Sequence, residues 1–179
     1  GFVIGSAKPD CFIAGADLNE LQALDGSRAA QDFSHQAQQM LDRLTQLQLQ
    51  RMADAGGGHI VAISSVAGRI GAPLRTAYSA AKHGLIGLAK AVAQDCGAYN
   101  ITSNAVLPGW VRTEMAERSA KQEAKERGIT PEQVWEERAK LYPAGRVPTM
   151  LEVAEAIAFL ASEESSGISG ESIRVSLGS

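Results

Sequence analysis

What most constrains the fold of this chain is an alternation of short β-branched runs with long amphipathic segments. His59–Ser64, His-Ile-Val-Ala-Ile-Ser, is a β-branched run, the pattern of a buried strand in a parallel sheet. Asn100–Leu107 gives another strand, stopped by Pro108-Gly109, Glu171–Leu177 supplies a last strand, and Phe2–Ser6 a first. Between them lies a helix rich in Ala, Gly and Leu from about Pro73 to Cys96. Two charged amphipathic helices follow, Arg112–Gly128 and Pro131–Leu141, the second opened by Thr130-Pro131 as N-cap and first helical residue. Leu151–Ala161 is a further helix. Toward the start, Lys8-Pro9-Asp10 makes a turn and a helix begins near Asp17 or Leu18, broken at Asp25-Gly26-Ser27. A long polar helix from about Arg28 to Ala53 carries Phe33, Ala37, Met40, Leu41, Leu44, Leu47 and Met52 as its stripe, and Gly56-Gly57-Gly58 stops it. Strands alternating with helices predict an α/β fold, a parallel sheet with helices on both faces, in a single domain over residues 1–179.

Composition removes several function classes. The 17 basic and 20 acidic residues leave a net charge of −3, so no basic excess exists to neutralise nucleic-acid phosphates. No apolar run approaches about 18 residues, so no membrane span is expected. No basic stretch precedes an apolar one as in a secretory signal. Cys11 and Cys96 are too far apart for a local metal site or redox pair, and a reducing, cytoplasmic setting is expected. His35, His59 and His83 have no metal-ligand spacing and are read as structural or surface residues, with no metal. The chain starts at Gly1 without a Met, and is read as cut from something longer or processed.

The strongest chemical signal is Tyr78-Ser79-Ala80-Ala81-Lys82 near the start of the apolar helix. A spacing of four puts Tyr78 and Lys82 on one helix face. A free phenol ionises near about 10, so serving as a base near neutrality requires about 4 kcal/mol of stabilisation of its anion. An ammonium about 5 Å away, in an effective dielectric near about 20, supplies about 3 kcal/mol of that. A positively charged cofactor ring supplies the remainder. Taken alone the pair is no more than packing and solvation; its context raises it. Ser65 stands thirteen residues upstream, at the C-terminal end of the His59–Ser64 strand, and the next strand ends in Pro108-Gly109-Trp110-Val111-Arg112-Thr113. Open α/β sheets bind ligands at that edge. A strand-end hydroxyl that caps a turn is the plain alternative for Ser65.

Residues from about 52 to 179 resemble the second half of a short-chain dehydrogenase/reductase. The resemblance is carried by Gly56-Gly57-Gly58-His59-Ile60-Val61-Ala62-Ile63-Ser64-Ser65, by the Tyr78–Lys82 helix, by Asn104-Ala105-Val106-Leu107-Pro108-Gly109, and by Gly167-Ile168-Ser169-Gly170-Glu171-Ser172-Ile173-Arg174-Val175. It implies a partial Rossmann-like, doubly wound architecture. It also implies an oxidoreductase that moves hydride between NAD or NADP and a small alcohol or carbonyl substrate. In that family the positions of Ser65, Tyr78 and Lys82 are catalytic: Tyr78 exchanges the proton, Lys82 lowers its pKa and holds the nicotinamide ribose, and Ser65 holds the reacting oxygen. The Pro108-Gly109 turn packs at the nicotinamide, which makes Val111 and Thr113 cofactor contacts. The charged stretch from Arg112 to Lys140 resembles the helices that cover the substrate, and a solvated amphipathic face explains it equally well. The face formed by Ala80, Ala81, Gly84, Gly87 and Ala91 corresponds to a dimer interface, which implies a homo-oligomer.

The family's glycine-rich phosphate loop follows its first strand and opens a helix, and no such loop is present in this sequence; Gly56-Gly57-Gly58 precedes a strand instead. The residue that selects NAD or NADP is not readable. Neither the Asn-Asn-Ala-Gly strand end nor the active-site Asn of the central helix is present, there being no Asn between Asn19 and Asn100. The first 45 or so residues resemble another family. Gly1-Phe2-Val3-Ile4 and Ser6-Ala7-Lys8-Pro9-Asp10-Cys11-Phe12-Ile13-Ala14-Gly15-Ala16-Asp17-Leu18 are similar to the crotonase (enoyl-CoA hydratase) family. There the backbone N–H at the position of Ala16 is one of two thioester-oxygen donors, and the second donor and the carboxylates have no counterpart here. The chain is read as a chimera with its seam near residues 45–52, a crotonase-like segment over 1–48 and a dehydrogenase-like segment over 49–179. Two alternatives to the oxidoreductase stay open: a catalytically inactive hybrid, and an acyl-CoA-binding module.

Overall fold

The computed structural model describes residues 49–71 and 75–179. The expected first strand, the helix near Asp17, the long polar helix up to residue 48, and Pro73 lie outside these residues, as do Ala16, Cys11 and His35.

A helical stretch at 49–54 stops where the sequence places three glycines, with Gly57 N–H donating to the Met52 carbonyl at 2.9 Å. Gly57 has φ +133°, and a Cβ there would fall 2.5 Å from the Asn100 carbonyl oxygen; conformation and close approach both exclude a side chain. The chain then enters β1 (Gly58–Ile63), crosses through α1 (Thr76–Cys96) and returns as β2 (Ile101–Pro108). Two helices, α2 (Glu114–Arg127) and α3 (Pro131–Ala139), form a separate pair, and α4 (Met150–Leu160) leads to β3 (Ser172–Val175). The strands pair in the order β1-β2-β3, all parallel, with Ile63 opposite Val106 and Pro108 opposite Val175. This is a parallel sheet with helices, as the sequence predicts.

Packing explains the order. β2 is buried along nearly its whole length while β1 is half-buried. On one face of the sheet, Ala105 and Leu107 pack with Ala89 and Ile86 of α1, and Ile101 packs with Val92 and Cys96. The buried positions of α1 are Lys82, Leu85, Ala89, Val92 and Cys96, a three-and-four spacing that makes one stripe. On the other face the His59 ring Nδ1 meets Thr102 Oγ1 at 2.9 Å, and Glu163, just past α4, lies 3.7 Å from Nε2. Asn104, fully buried in β2, donates to the Ile168 carbonyl at 2.7 Å and accepts from the Glu171 N–H at 3.0 Å, pinning the loop before β3.

Element ends differ from the sequence reading where caps intervene. α1 starts at Thr76, not Pro73. α2 starts at Glu114, because the extended Thr113 is its N-cap, and ends at Gly128 in the left-handed conformation. α3 stops at Ala139 rather than Leu141, after which the chain turns back on itself through Tyr142 N–H to the Ala139 carbonyl. The last strand ends at Val175, since Leu177 takes φ +47° and Ser179 N–H closes a turn on Ser176.

Candidate active site

Parallel strands in this register leave the sheet at one edge, so the residues after Ile63 and those after Pro108 emerge side by side. Ser64 N–H still donates to the Val106 carbonyl at 2.8 Å, and Gly109 N–H to the Val175 carbonyl at 3.1 Å. Ser65 follows in extended backbone and caps a short helical turn, Val66–Gly68, its Oγ accepting from Ala67 N–H at 3.2 Å. The turn-capping role considered for Ser65 therefore exists, and its own O–H is still a donor.

Tyr78 and Lys82 occupy the first turns of α1 on the stripe that continues into the core. That is why Lys82 is buried, 8% exposed. Its Nζ donates to the Ile63 carbonyl oxygen at 2.9 Å and lies 5.5 Å from the centroid of the Tyr78 ring. One ammonium thus links the strand end that leads to Ser65 with the helix that carries Tyr78. Burial holds the Lys82 ammonium below its ordinary pKa, because desolvation disfavours the charged form. A second tie runs beneath: Ser64 Oγ donates to the Lys82 carbonyl at 2.8 Å, and Gly68 approaches so closely that a Cβ would fall 2.6 Å from Ser64 Oγ.

The Pro108–Thr113 turn forms the neighbouring wall. Thr113 Oγ1 accepts from Ala116 N–H at 3.3 Å as the α2 cap, and Val111 is half-buried. Against this turn sits the α2–α3 pair with its own core of Ala120, Ala124, Val134 and Trp135, to which Trp110 adds. The charged stretch is therefore a packed two-helix unit with solvated outer faces. Trp110 and Trp135 meet edge to face with centroids 6.4 Å apart. The Arg138 guanidinium lies 3.7 Å from the Trp110 ring and 4.8 Å from that of Trp135, and bonds Glu123 at 2.9 Å. Arg75, immediately before α1, stacks 5.1 Å from Trp110 and reaches Ser119 Oγ at 3.4 Å, bridging the helix that carries Tyr78 to this unit.

The sequence reading missed Arg138, Trp135 and Tyr142. Its available signal was that the chain's two tryptophans are each followed within three residues by an arginine. A cavity of about 360 Å³ opens at the opposite strand ends, lined by Gly56–His59, Asn100, Thr102 and Glu163 among others, and touches none of Ser65, Tyr78 and Lys82. Among the described residues no group of three or more His, Cys, Asp or Glu converges as a metal site, and no helix is long and apolar enough to cross a membrane.

The family model described as enoyl-(acyl carrier protein) reductase matches residues 21–179. Over 136 residues the chain is 36% identical to (3R)-3-hydroxyacyl-CoA dehydrogenase of Rattus norvegicus, covering 75% of this chain and 48% of that one. It is 43% identical over 128 residues to Oxidoreductase UcpA of Escherichia coli K12, covering 71% and 48%. The chain belongs to the short-chain dehydrogenase/reductase family. It spans about half the length of the curated relatives it matches. Among solved structures of the family, the ligand-free aldohexose dehydrogenase of Thermoplasma acidophilum superposes with a TM-score of 0.70 at 33% identity, covering 75% of this chain and 52% of that one. An actinorhodin polyketide ketoreductase with NADPH gives 0.66 at 33% (71% and 49%), and a xylitol dehydrogenase bound to NAD+ gives 0.66 at 30% (73% and 52%). These neighbours establish the Rossmann-like fold. The family match begins at residue 21, so residues 21–45 of the segment that resembles crotonase fall within it.

Proposed function

We propose that this short-chain dehydrogenase/reductase chain carries the proton-handling half of an alcohol–carbonyl oxidoreductase site, with Ser65, Tyr78 and Lys82 as its catalytic residues. The observation that supports it best is the buried ammonium of Lys82, held on the Ile63 carbonyl and set beneath the Tyr78 ring.

The donors present suit a nicotinamide riboside. Lys82 Nζ and the Tyr78 hydroxyl would hold ribose hydroxyls, while the turn of Pro108, Gly109, Val111 and Thr113 would meet the nicotinamide. The group, when bound, accepts or supplies a hydride. Tyr78 takes the proton from the alcohol oxygen or returns it to the carbonyl oxygen. Lys82 would set a positive charge beside the Tyr78 ring, 5.5 Å from its centroid. Ser65 holds the same substrate oxygen through its O–H. Among the described residues no glycine-rich turn joins a strand end to a helix N-terminus; Gly56 and Gly57 precede β1 and Gly58 opens it. That observation favours, as second reading, a hybrid that keeps the catalytic residues without gripping a dinucleotide.

Calorimetric titration of the full chain with NADH, NADPH and an acyl-CoA, followed by turnover of short secondary alcohols and ketones, separates the readings. Saturable dinucleotide binding with turnover abolished in Tyr78→Phe is the expected result, and the preferred dinucleotide decides between NAD and NADP. A folded chain that binds neither dinucleotide supports the inactive hybrid. Tight acyl-CoA binding supports instead a chimera with a crotonase-like segment ahead of residues 45–52. We further propose a cytoplasmic homo-oligomer. Ala80, Gly84, Gly87 and Ala91 form an exposed small-residue face on α1 that suits a second copy of the helix, and a monomer mass by light scattering would sink this.

A further inference from the structure

Two contacts on the Gly109–Trp110 backbone come from the far end of α3. The Tyr142 hydroxyl accepts the Trp110 N–H at 2.6 Å. It also fills the space beside Gly109, where a Cβ would fall 2.5 Å from that oxygen and 3.0 Å from the ring edge. Tyr142 is 4% exposed, and burial keeps its phenol neutral by raising its pKa. Arg138 stands four residues earlier, in the last turn of α3, and lies over the indole of the same Trp110 at 3.7 Å. One short segment thus holds Trp110 by backbone and by ring, while the end of β3 holds Gly109 through the Val175 carbonyl. The turn is gripped on both sides. It leaves the sheet beside Ser65, and a shift of about 1 Å in such a wall costs far more in ligand geometry than in fold stability.

We propose that Tyr142 is a positioning residue for the Gly109–Thr113 turn, setting where that turn meets a nicotinamide dinucleotide; this rests on the reading under Proposed function. Glycine at 109 is then a demand of Tyr142 as much as of the turn. A tyrosine whose hydroxyl bonds a main-chain N–H 32 residues away ties the segment after α3 to the turn at the end of β2.

The test uses the full chain and four variants. Tyr142→Phe deletes only the hydroxyl and leaves the Trp110 N–H unpaired; the dissociation constant for the preferred dinucleotide should rise at least about fivefold. Both tryptophans of the chain lie in this cluster, so the dinucleotide-induced change in tryptophan emission should shrink with it. Ser165→Ala deletes another buried hydroxyl, bonded to the Ser162 carbonyl at 3.0 Å, and should leave the dissociation constant within about twofold. Gly109→Ala should weaken binding like Tyr142→Phe, and the double variant should be no worse than Gly109→Ala, because Phe removes the nearest of the atoms the new methyl would meet. Unchanged affinity in Tyr142→Phe, or an equal loss in Ser165→Ala, overturns the proposal. If the wild-type chain binds neither dinucleotide, the proposed function fails instead. Amide exchange at Trp110 then decides: acceleration in Tyr142→Phe beyond the global change supports a positioned turn, and unchanged exchange overturns it.

Discussion

The strand-end wall, Ser65 with Tyr78 and Lys82, and the wall made by Trp110 with α2 and α3 meet at one sheet edge but are held by different forces. The first is an extension of the aliphatic core: its lysine heads the stripe Leu85, Ala89, Val92, Cys96, and its ammonium donates to the Ile63 carbonyl. The second is a lattice of guanidinium, indole and carboxylate groups around a small Ala–Val–Trp core. Apolar packing is indifferent to salt and acid over ordinary ranges, whereas exposed ion pairs such as those of Arg127 with Glu123 and Glu137 weaken with both. The contrast separates an edge fixed by apolar packing from a wall whose register also depends on polar contacts.

The largest expected effect breaks function and leaves both walls standing. Tyr78→Phe should lower turnover by roughly a hundred- to ten-thousandfold with an unchanged urea midpoint, since Tyr78 is half-buried and keeps its ring. A core deletion under the first wall comes next. Leu107, fully buried against α1, should cost about 2–5 kcal/mol when replaced by Ala, read by urea unfolding followed by circular dichroism. Arg138→Ala attacks the second wall alone. Its side chain is 6% exposed and pairs with Glu123, and its loss from two indole faces should cost about 1–3 kcal/mol, with a red shift in tryptophan emission and no loss of sheet signal. The smallest effect is in acid. The Arg146 guanidinium and the Thr149 N–H hold the Glu152 carboxyl at a pKa of about 2. A depressed folded-state value means its contribution to the α4 cap is present above the ordinary carboxylate range and is lost as pH falls from about 4 toward about 2. Glu152→Gln should remove that part of the acid titration, seen as helix dichroism against pH.

The same two walls show what was legible beforehand. For the strand-end wall, the β-branched run to Ser64, the i, i+4 spacing of Tyr78 and Lys82 and the Pro108-Gly109 stop are local features, and local geometry dictates them. The three strands described and the α1 crossover fall where the run lengths predict, with ends moved by caps such as Thr113 that compete for one or two residues. For the other wall, the helices were legible but their use was ambiguous between a substrate cover and a solvated face. The contacts that seat these helices against the turn after β2, Arg138 on Trp110 and Tyr142 on the Trp110 N–H, join residues 28 and 32 apart. No periodicity encodes such pairs.

By itself, then, the sequence determined which side chains share a helix face, which runs must be buried strands, and that Ser65 and Gly109 lie at strand ends, because steric and periodic rules act within a few residues. Only the tertiary structure decided that the Lys82 ammonium is held by the Ile63 carbonyl, that Asn104 serves the loop before β3, and that Tyr142 stands against Gly109. Those choices follow from chain segments brought together by burial, where each buried polar group must find whatever partner the packing places within reach.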